Sequence, residues 1–286
     1  MSTSMTGRTV LVTGGTHGIG LATARALASS GAAVTVVGRS PDKTDQVVAA
    51  LRRDSGNDRV EGMVADLSSQ AEVRRLATDF AAAHDRLDVL VNNVGGFWAT
   101  RHVTADGLEH TFALNHLAPF LLTHLLLPLL EASAPSRVVT VSSGAQSIGH
   151  IDLDDLQGER AYRGQRAYSQ SKLANLLFTY ELARRLEGTG VTANALHPGV
   201  VRTRFGQDDP SFPYRALLPL VRPFLLSPER GADTSVYLAS SPEVEGVSGK
   251  YFVRKKARPS SRASYDTQVA RRLWEVSAEL TGVDAG

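Results

Sequence analysis

Seven short β-branched runs punctuate the sequence, at Thr9 to Thr13, Val34 to Val37, Val60 to Val64, Val89 to Val91, Val138 to Val141, Val191 to Leu196 and Tyr251 to Val253. They read as buried strands. Between most of them lie longer helical patterns such as Ile19 to Ser29, Ala71 to Ala83 and Ser171 to Leu186. That alternation is the signature of a parallel sheet covered on both faces. The expected fold class is therefore α/β: a single-domain Rossmann fold with a doubly wound, seven-stranded parallel sheet and helices on both faces. A chain of 286 residues fits one such domain, and no internal repeat or Gly/Ser linker divides it.

Composition removes several alternatives. Apolar residues make up 42% and charged residues 21%, the balance of a globular protein with a large core. The formal charge is only +2, and the basic run Arg254 to Arg258 has no interleaved aromatics, so it reads as a solvated turn and no nucleic acid partner is expected. With no cysteine there is no disulfide framework, thiolate zinc site or thiol nucleophile. His110, His116 and His124 lack the spacing with acids that a metal site needs, so no metal is expected. Met1 to Gly7 lacks the basic flank and apolar core of a signal peptide. The most apolar stretch, Phe120 to Leu130, is shorter than a bilayer span and contains His124 and Pro128. It reads as a core or interface helix, and the expectation is a cytoplasmic protein without a transmembrane segment.

The first strand runs into Thr13-Gly14-Gly15-Thr16-His17-Gly18-Ile19-Gly20 and then directly into a helical pattern. Glycines there let the backbone approach a pyrophosphate, whose charge meets the N–H groups and dipole of the helix start. The strand-turn-helix context makes this a dinucleotide site and not a simple turn. Strand two ends in Val37-Gly38-Arg39-Ser40. Where an acid would bind a ribose 2′-OH, Arg39 offers a planar fork to a 2′-phosphate, with Ser40 as a further donor, so NADP(H) is preferred over NAD(H). Asp42 would overturn that preference if it folded back onto the ribose. Asp66 and Asn92-Asn93-Val94-Gly95 stand at the ends of two further strands. Cofactor contact and ordinary loop chemistry weigh equally for them.

Tyr168 and Lys172 are one helical turn apart on one face. A tyrosine titrating near ~10 is a poor acid-base catalyst at neutral pH, and a nearby ammonium lowers its pKa by stabilising the phenolate. Lys172 can do this and also reach the nicotinamide ribose. Strand five ends in Val141-Ser142-Ser143-Gly144, which brings hydroxyls to the same sheet edge. His197, before Pro198, reads as a packing and loop residue, with cofactor contact as the lesser alternative.

With these motifs in place, the sequence resembles the short-chain dehydrogenase/reductase family from about Arg8 to the C-terminal helix. The resemblance rests on Thr13 to Gly20, Asp66, Asn92 to Gly95, Asn115, Ser143, Tyr168 with Lys172, and His197-Pro198-Gly199. Within the family the chain is similar to the retinol dehydrogenase-like branch, through Asn115-His116-Leu117, Ser171 to Asn175, Gly249 to Phe252 and the long gap from Ser143 to Tyr168. The resemblance implies that Tyr168 is general acid in reduction and base in oxidation, that Ser143 orients the carbonyl with Ser142 as runner-up, that Lys172 lowers the tyrosine pKa, and that Asn115 holds a water in a proton relay. It extends the cofactor set to Leu67, Pro198, Gly199, Val201 and Thr203. Val94 stands where the family usually has alanine, which tightens the nicotinamide pocket. The N-terminal membrane anchor common in animal retinol dehydrogenases is not seen, which weakens retinoid as the natural substrate.

Two further readings concern shape. The proline-rich, apolar insertion Phe205 to Glu229 is read as a lid over an apolar substrate, with a packing subdomain or a membrane-surface contact as its rivals. The helices around Ala105 to Leu130 and Ser171 to Arg185 are candidates to pair across a homodimer or homotetramer. The leading function is hydride transfer between NADP(H) and a carbonyl or alcohol of a lipophilic or aromatic small molecule. A catalytically idle NADPH sensor is the alternative.

Overall fold

The computed structural model describes residues 4–201 and 225–285. Its strands are β1 (Thr9–Thr13), β2 (Ala33–Gly38), β3 (Val60–Val64), β4 (Val89–Asn92), β5 (Ser136–Val141), β6 (Val191–His197), β7 (Lys250–Val253) and β8 (Lys256–Arg258). They form one sheet in the order β3-β2-β1-β4-β5-β6-β7-β8. The first seven are parallel, as expected, and β8 is an additional strand that returns antiparallel to β7. The basic run read as a solvated turn is thus a hairpin: Arg254 and Lys255 turn the chain with φ of 52° and 62°, and the rest extends as β8. Side chains rarely adopt that left-handed conformation, and hairpins usually place Asn or Gly there.

Alternation along each buried strand feeds two apolar layers. In β1, Val10 and Val12 join Leu27, Val34, Val36, Leu51 and Leu238 on one face. Leu11 joins Leu76, Phe80, Leu90, Phe120 and Phe178 on the other. The first face is covered by α1 (Gly18–Ser29), α2 (Pro41–Ser55) and α6 (Pro228–Ser240). The second is covered by α3 (Gln70–Ala83), α4 (His110–Ala132) and α5 (Gly164–Arg185). At roughly 1.5–3 kcal/mol for each fully buried large apolar side chain, these layers are the main stabilising term.

The helix α4 is longer than the Phe120 to Leu130 stretch suggested. It is capped by Glu109, whose carboxylate accepts from the N–H groups of Thr111 and Phe112 at 2.8 Å each, and it runs for 23 residues from His110. By length and composition it could span a membrane, but 72% of its most apolar window is buried inside this domain. It is a core helix here. A π-helical turn at Ala113–Leu117 interrupts its α-helical bonding and carries Asn115.

The C-terminal helix α7 (Thr267–Thr281) packs over α4 and α5. Trp274 stacks on Phe178 with ring centres 5.9 Å apart and meets Phe120 edge-on at 5.0 Å. Leu273 and Ala270 fill in against Leu173, Ala174 and Leu177. Between α7 on one side and the sheet on the other, every residue of α5 from 169 to 182 is buried. The helices offered by the sequence to a second copy are therefore covered on this face by the same chain.

Candidate active site

All parallel strands end at one edge, and the order of the sheet reverses between β1 and β4, which opens a crevice there. The glycine turn leaves β1 at this crevice. Gly14 has φ of +62°, and a Cβ on Gly20 would lie 2.3 Å from the carbonyl oxygen of Gly14, so a side chain at Gly20 would force the turn open. The turn is tied from β4. Asn93 Nδ2 donates to the carbonyls of Thr13 at 2.9 Å and Gly14 at 3.3 Å, while the N–H groups of Asn93 and Val94 donate to Thr13 Oγ1 at 2.9 and 3.1 Å. Of the two readings of this segment, loop chemistry accounts for the Asn93 side chain.

The helix α1 begins at Gly18, with Ile19 and Gly20 in its first turn. Its N-cap residue His17 provides no side-chain acceptor, and no acid lies in the first turn. Side chains of Ser40, Glu109, Ser227 and Asp266 cap α2, α4, α6 and α7, whereas α3 and α5, like α1, start without one. An uncapped helix start beside a tight glycine turn suits the pyrophosphate of a dinucleotide, so the residues present fit the group. Buried Thr16 packs so closely on the end of β2 that a Cβ on Gly38 would lie 2.4 Å from its methyl group.

Next to that end, Arg39 and Ser40 are exposed. Asp42 lies in the first turn of α2, where a negative charge complements the helix dipole. Burial works against ionisation of Asp66, yet hydrogen bonds from Ser68 N and Oγ at 3.0 and 2.8 Å, with the nearby positive charge of Arg39, hold its carboxyl below the usual range. Leu67 is part of the apolar core. At the far side, Pro198 and Gly199 follow β6, and Val201 bridges to Leu226. Val201 also meets Ile19 around Gly231, which places it beside the glycine turn. Thr203 and residues 205–224 of the insertion lie outside the described residues.

The chemistry-bearing side chains converge beyond the end of β4 and β5. A Cβ on Gly95 would lie 3.1 Å from both Asn115 Oδ1 and Lys172 Nζ, so these two groups meet over a glycine. Lys172 is buried, its Nζ donating to the carbonyl of Val141 at 3.3 Å and lying 5.6 Å from the centre of the Tyr168 ring. The Tyr168 side chain is hydrogen-bonded to Ser143. The two serines divide cleanly. Ser142 Oγ is committed to the carbonyl of Lys172 at 2.8 Å, whereas Ser143 Oγ accepts from the N–H of Ala145 at 3.2 Å and faces the tyrosine. Asn115 is fully buried and exchanges bonds with one peptide, accepting from Gly96 N at 2.8 Å and donating to Gly96 O at 2.9 Å, with a further bond to Ser171 Oγ at 3.0 Å.

Burial governs the Tyr168–Lys172 pair in the absence of ligand. The Tyr168 hydroxyl is pushed up to about 12, because burial disfavours the phenolate more than the Ser143 hydrogen bond favours it. Burial also draws Lys172 down to about 8. Desolvation favours the neutral form of both groups in the absence of ligand.

Sequence reasoning missed the aromatic wall. Phe97 meets Tyr168 edge-on at 5.9 Å, and Trp98 is packed so tightly that a Cβ on Gly96 would lie 2.4 Å from its ring. Tyr162 fixes this segment through its hydroxyl, 3.0 Å from the Trp98 carbonyl and 3.2 Å from Glu109 Oε1. The signal was an aromatic pair directly after Gly95-Gly96 at the working edge. Among the described residues, no three His, Asp or Glu side chains cluster as a metal site requires.

Residues 8–212 match the short chain dehydrogenase family. The chain belongs to that family. Retinol dehydrogenase 14 of Mus musculus is 45% identical, the match covering 98% of this chain and 87% of the relative. A crystal structure from Mycobacterium paratuberculosis superposes with a TM-score of 0.80 at 34% identity, over 100% of this chain and 97% of that one. The Pseudomonas aeruginosa RhlG/NADP complex gives a TM-score of 0.70 at 30% identity, over 87% and 95%. The chain is thus a retinol dehydrogenase-like member of the short-chain dehydrogenases, a dinucleotide-dependent oxidoreductase acting on small molecules.

Proposed function

We propose that this oxidoreductase uses NADP(H) to interconvert a carbonyl and an alcohol on a lipophilic or aromatic small molecule. The observation that carries the reading is the Tyr168 hydroxyl, hydrogen-bonded to Ser143 beside the Lys172 ammonium at the edge where the glycine turn lies. When bound, the reduced nicotinamide supplies the hydride. The N–H groups of Gly18, Ile19 and Gly20 would hold the pyrophosphate, with Gly14, Thr16 and His17 shaping the turn. Arg39 and Ser40 would hold the 2′-phosphate. The remaining contacts fall to Asp66, Leu67, Asn93, Val94 and Gly95 along β3 and β4, to Lys172 at the ribose, and to Pro198, Gly199, Val201 and Thr203.

In reduction, Ser143 Oγ orients the substrate oxygen and Tyr168 donates its proton to it as the alkoxide charge develops. Lys172 stabilises the phenolate left behind, and in oxidation the proton moves the other way. At about 12 in the absence of ligand the tyrosine carries its proton at neutral pH, as a donor must, and stabilising the phenolate that donation leaves falls to Lys172. Asn115, bonded to the Gly96 carbonyl and adjacent to Lys172, keeps the π-helical turn and the Gly95-Gly96 segment in register, as a relay would require. Phe97, edge-on to the Tyr168 ring, favours an apolar or aromatic substrate. A panel of ketones, aldehydes and alcohols followed by NADPH absorbance, with NADH as control, tests the reading. Turnover with NADH in preference to NADPH would overturn the cofactor assignment, and no turnover across lipophilic carbonyls would overturn the reaction.

A further inference from the structure

Strands β5 and β6 run in register up to the point where the site begins. Val141 pairs with Leu196, and the N–H of Ser142 donates to the carbonyl of Leu196 at 2.8 Å. There the main-chain ladder stops. Ser143 is extended, with φ of −155° and ψ of 160°, and the chain turns into the 3-10 helix Gly144–Ile148. The next link between the two segments comes from a side chain: the N–H of Gly144 donates to Nδ1 of His197 at 3.1 Å. This N–H is the first of the short helix and has no acceptor inside it. Ser143 therefore sits between two anchored peptides, both tied to the end of β6.

We propose that His197 is a positioning residue for Ser143, its Nδ1 acting as one more rung of the β5–β6 ladder and fixing the direction of Ser143 Oγ toward Tyr168. This rests on the reading of Ser143 as the group that orients the substrate oxygen. Accepting at Nδ1 requires the neutral ring with its proton on Nε2. Burial, and secondarily the positive charge of Arg254, lower the imidazole pKa and favour that form. An aliphatic residue at this position would leave the Gly144 N–H without its acceptor and Ser143 held on that side only by the turn of its own short helix, through the N–H groups of Ala145 and Gln146. Asparagine would restore an acceptor oxygen close to the place of Nδ1.

The test uses the full chain, the best carbonyl substrate from the panel, and three variants, His197→Leu, His197→Asn and Ser143→Ala. A misplacement of the reacting groups by about 1 Å costs on the order of a hundredfold, so His197→Leu is expected to lose about tenfold to a hundredfold in kcat. NADPH affinity, read by fluorescence titration, should stay within about twofold while His197→Asn recovers most of kcat, because the anchoring bond and not the ring is what matters. The double variant His197→Leu/Ser143→Ala should be no slower than Ser143→Ala alone, since both act through one hydroxyl. If His197→Leu does not fold, His197→Gln, whose acceptor lies one methylene further out, takes its place with the same expected loss. Wild-type kcat in His197→Leu beside an impaired Ser143→Ala would overturn the inference alone. So would a loss seen only as weaker NADPH binding, or a His197→Asn variant as slow as His197→Leu. Full activity in Ser143→Ala would instead overturn the reading of Ser143 on which the inference stands.

Discussion

At the edge where the strands begin, buried Asp88 accepts from Arg8 at 2.7 Å, from Arg86 at 2.6 and 2.8 Å, and from the N–H of Thr9 at 2.8 Å. Arg137 is likewise spent, donating to the carbonyls of Leu238 and Ser241 at 3.0 and 2.9 Å. A groove of about 940 Å³ opens between these groups and Arg184 and Glu187. At the edge where the strands end, Lys172 has a single long bond of 3.3 Å, and Tyr168 and Ser143 share one another. This groove therefore lies where Asp88 and Arg137 are already satisfied. What marks the other edge as reactive is convergence: a hydroxyl, a phenol and an ammonium brought together from the end of β5 and from α5.

The sharpest break of that contrast is Tyr168→Phe, which should lower kcat about a thousandfold while leaving NADPH affinity intact, because only the transferable proton is removed. Activity retained in that variant would take Tyr168 out of its role. Across the molecule, Asp88→Ala should destabilise the fold by roughly 3 kcal/mol in urea denaturation, since it strands the Thr9 N–H and two arginines, yet kcat should not change. A large kinetic defect there would mean that the two edges are coupled. Arg39→Asp should cost about tenfold to a hundredfold in kcat/KM with NADPH, the value of a charged hydrogen bond, and improve the ratio for NADH. The mildest probe is pH. Lys172 loses its proton above about 8 whereas Tyr168 holds its own to about 12, so kcat/KM for carbonyl reduction should fall about tenfold per pH unit above about 8. A profile flat to pH 10 would show that the lysine charge is not needed.

Much of the working edge was legible because strand ends and glycines report directly on backbone position. β1 and β3 have the expected limits, and the four groups Asn115, Ser143, Tyr168 and Lys172 do meet. Three features were not legible. β8 has exposed residues throughout and turns on Arg254 and Lys255 in place of the Asn or Gly that signals a hairpin. The π-helical turn around Asn115 lies inside an apolar run whose periodicity hides one altered turn. The pKa of Tyr168 depends on how deeply it is buried, which one-turn spacing from Lys172 cannot reveal.

The C-terminal helix carries a last consequence. Between two chains, the docking of Trp274 and Leu273 onto α5 would be a bimolecular equilibrium that weakens on dilution. Here the tether supplies a local concentration that dilution cannot change. Through Ser277, which lies 2.9 Å from Nε2 of buried His116, that helix also steadies the residue next to Asn115. That contribution to the order of the π-helical turn comes from the same chain and does not depend on how much protein is present.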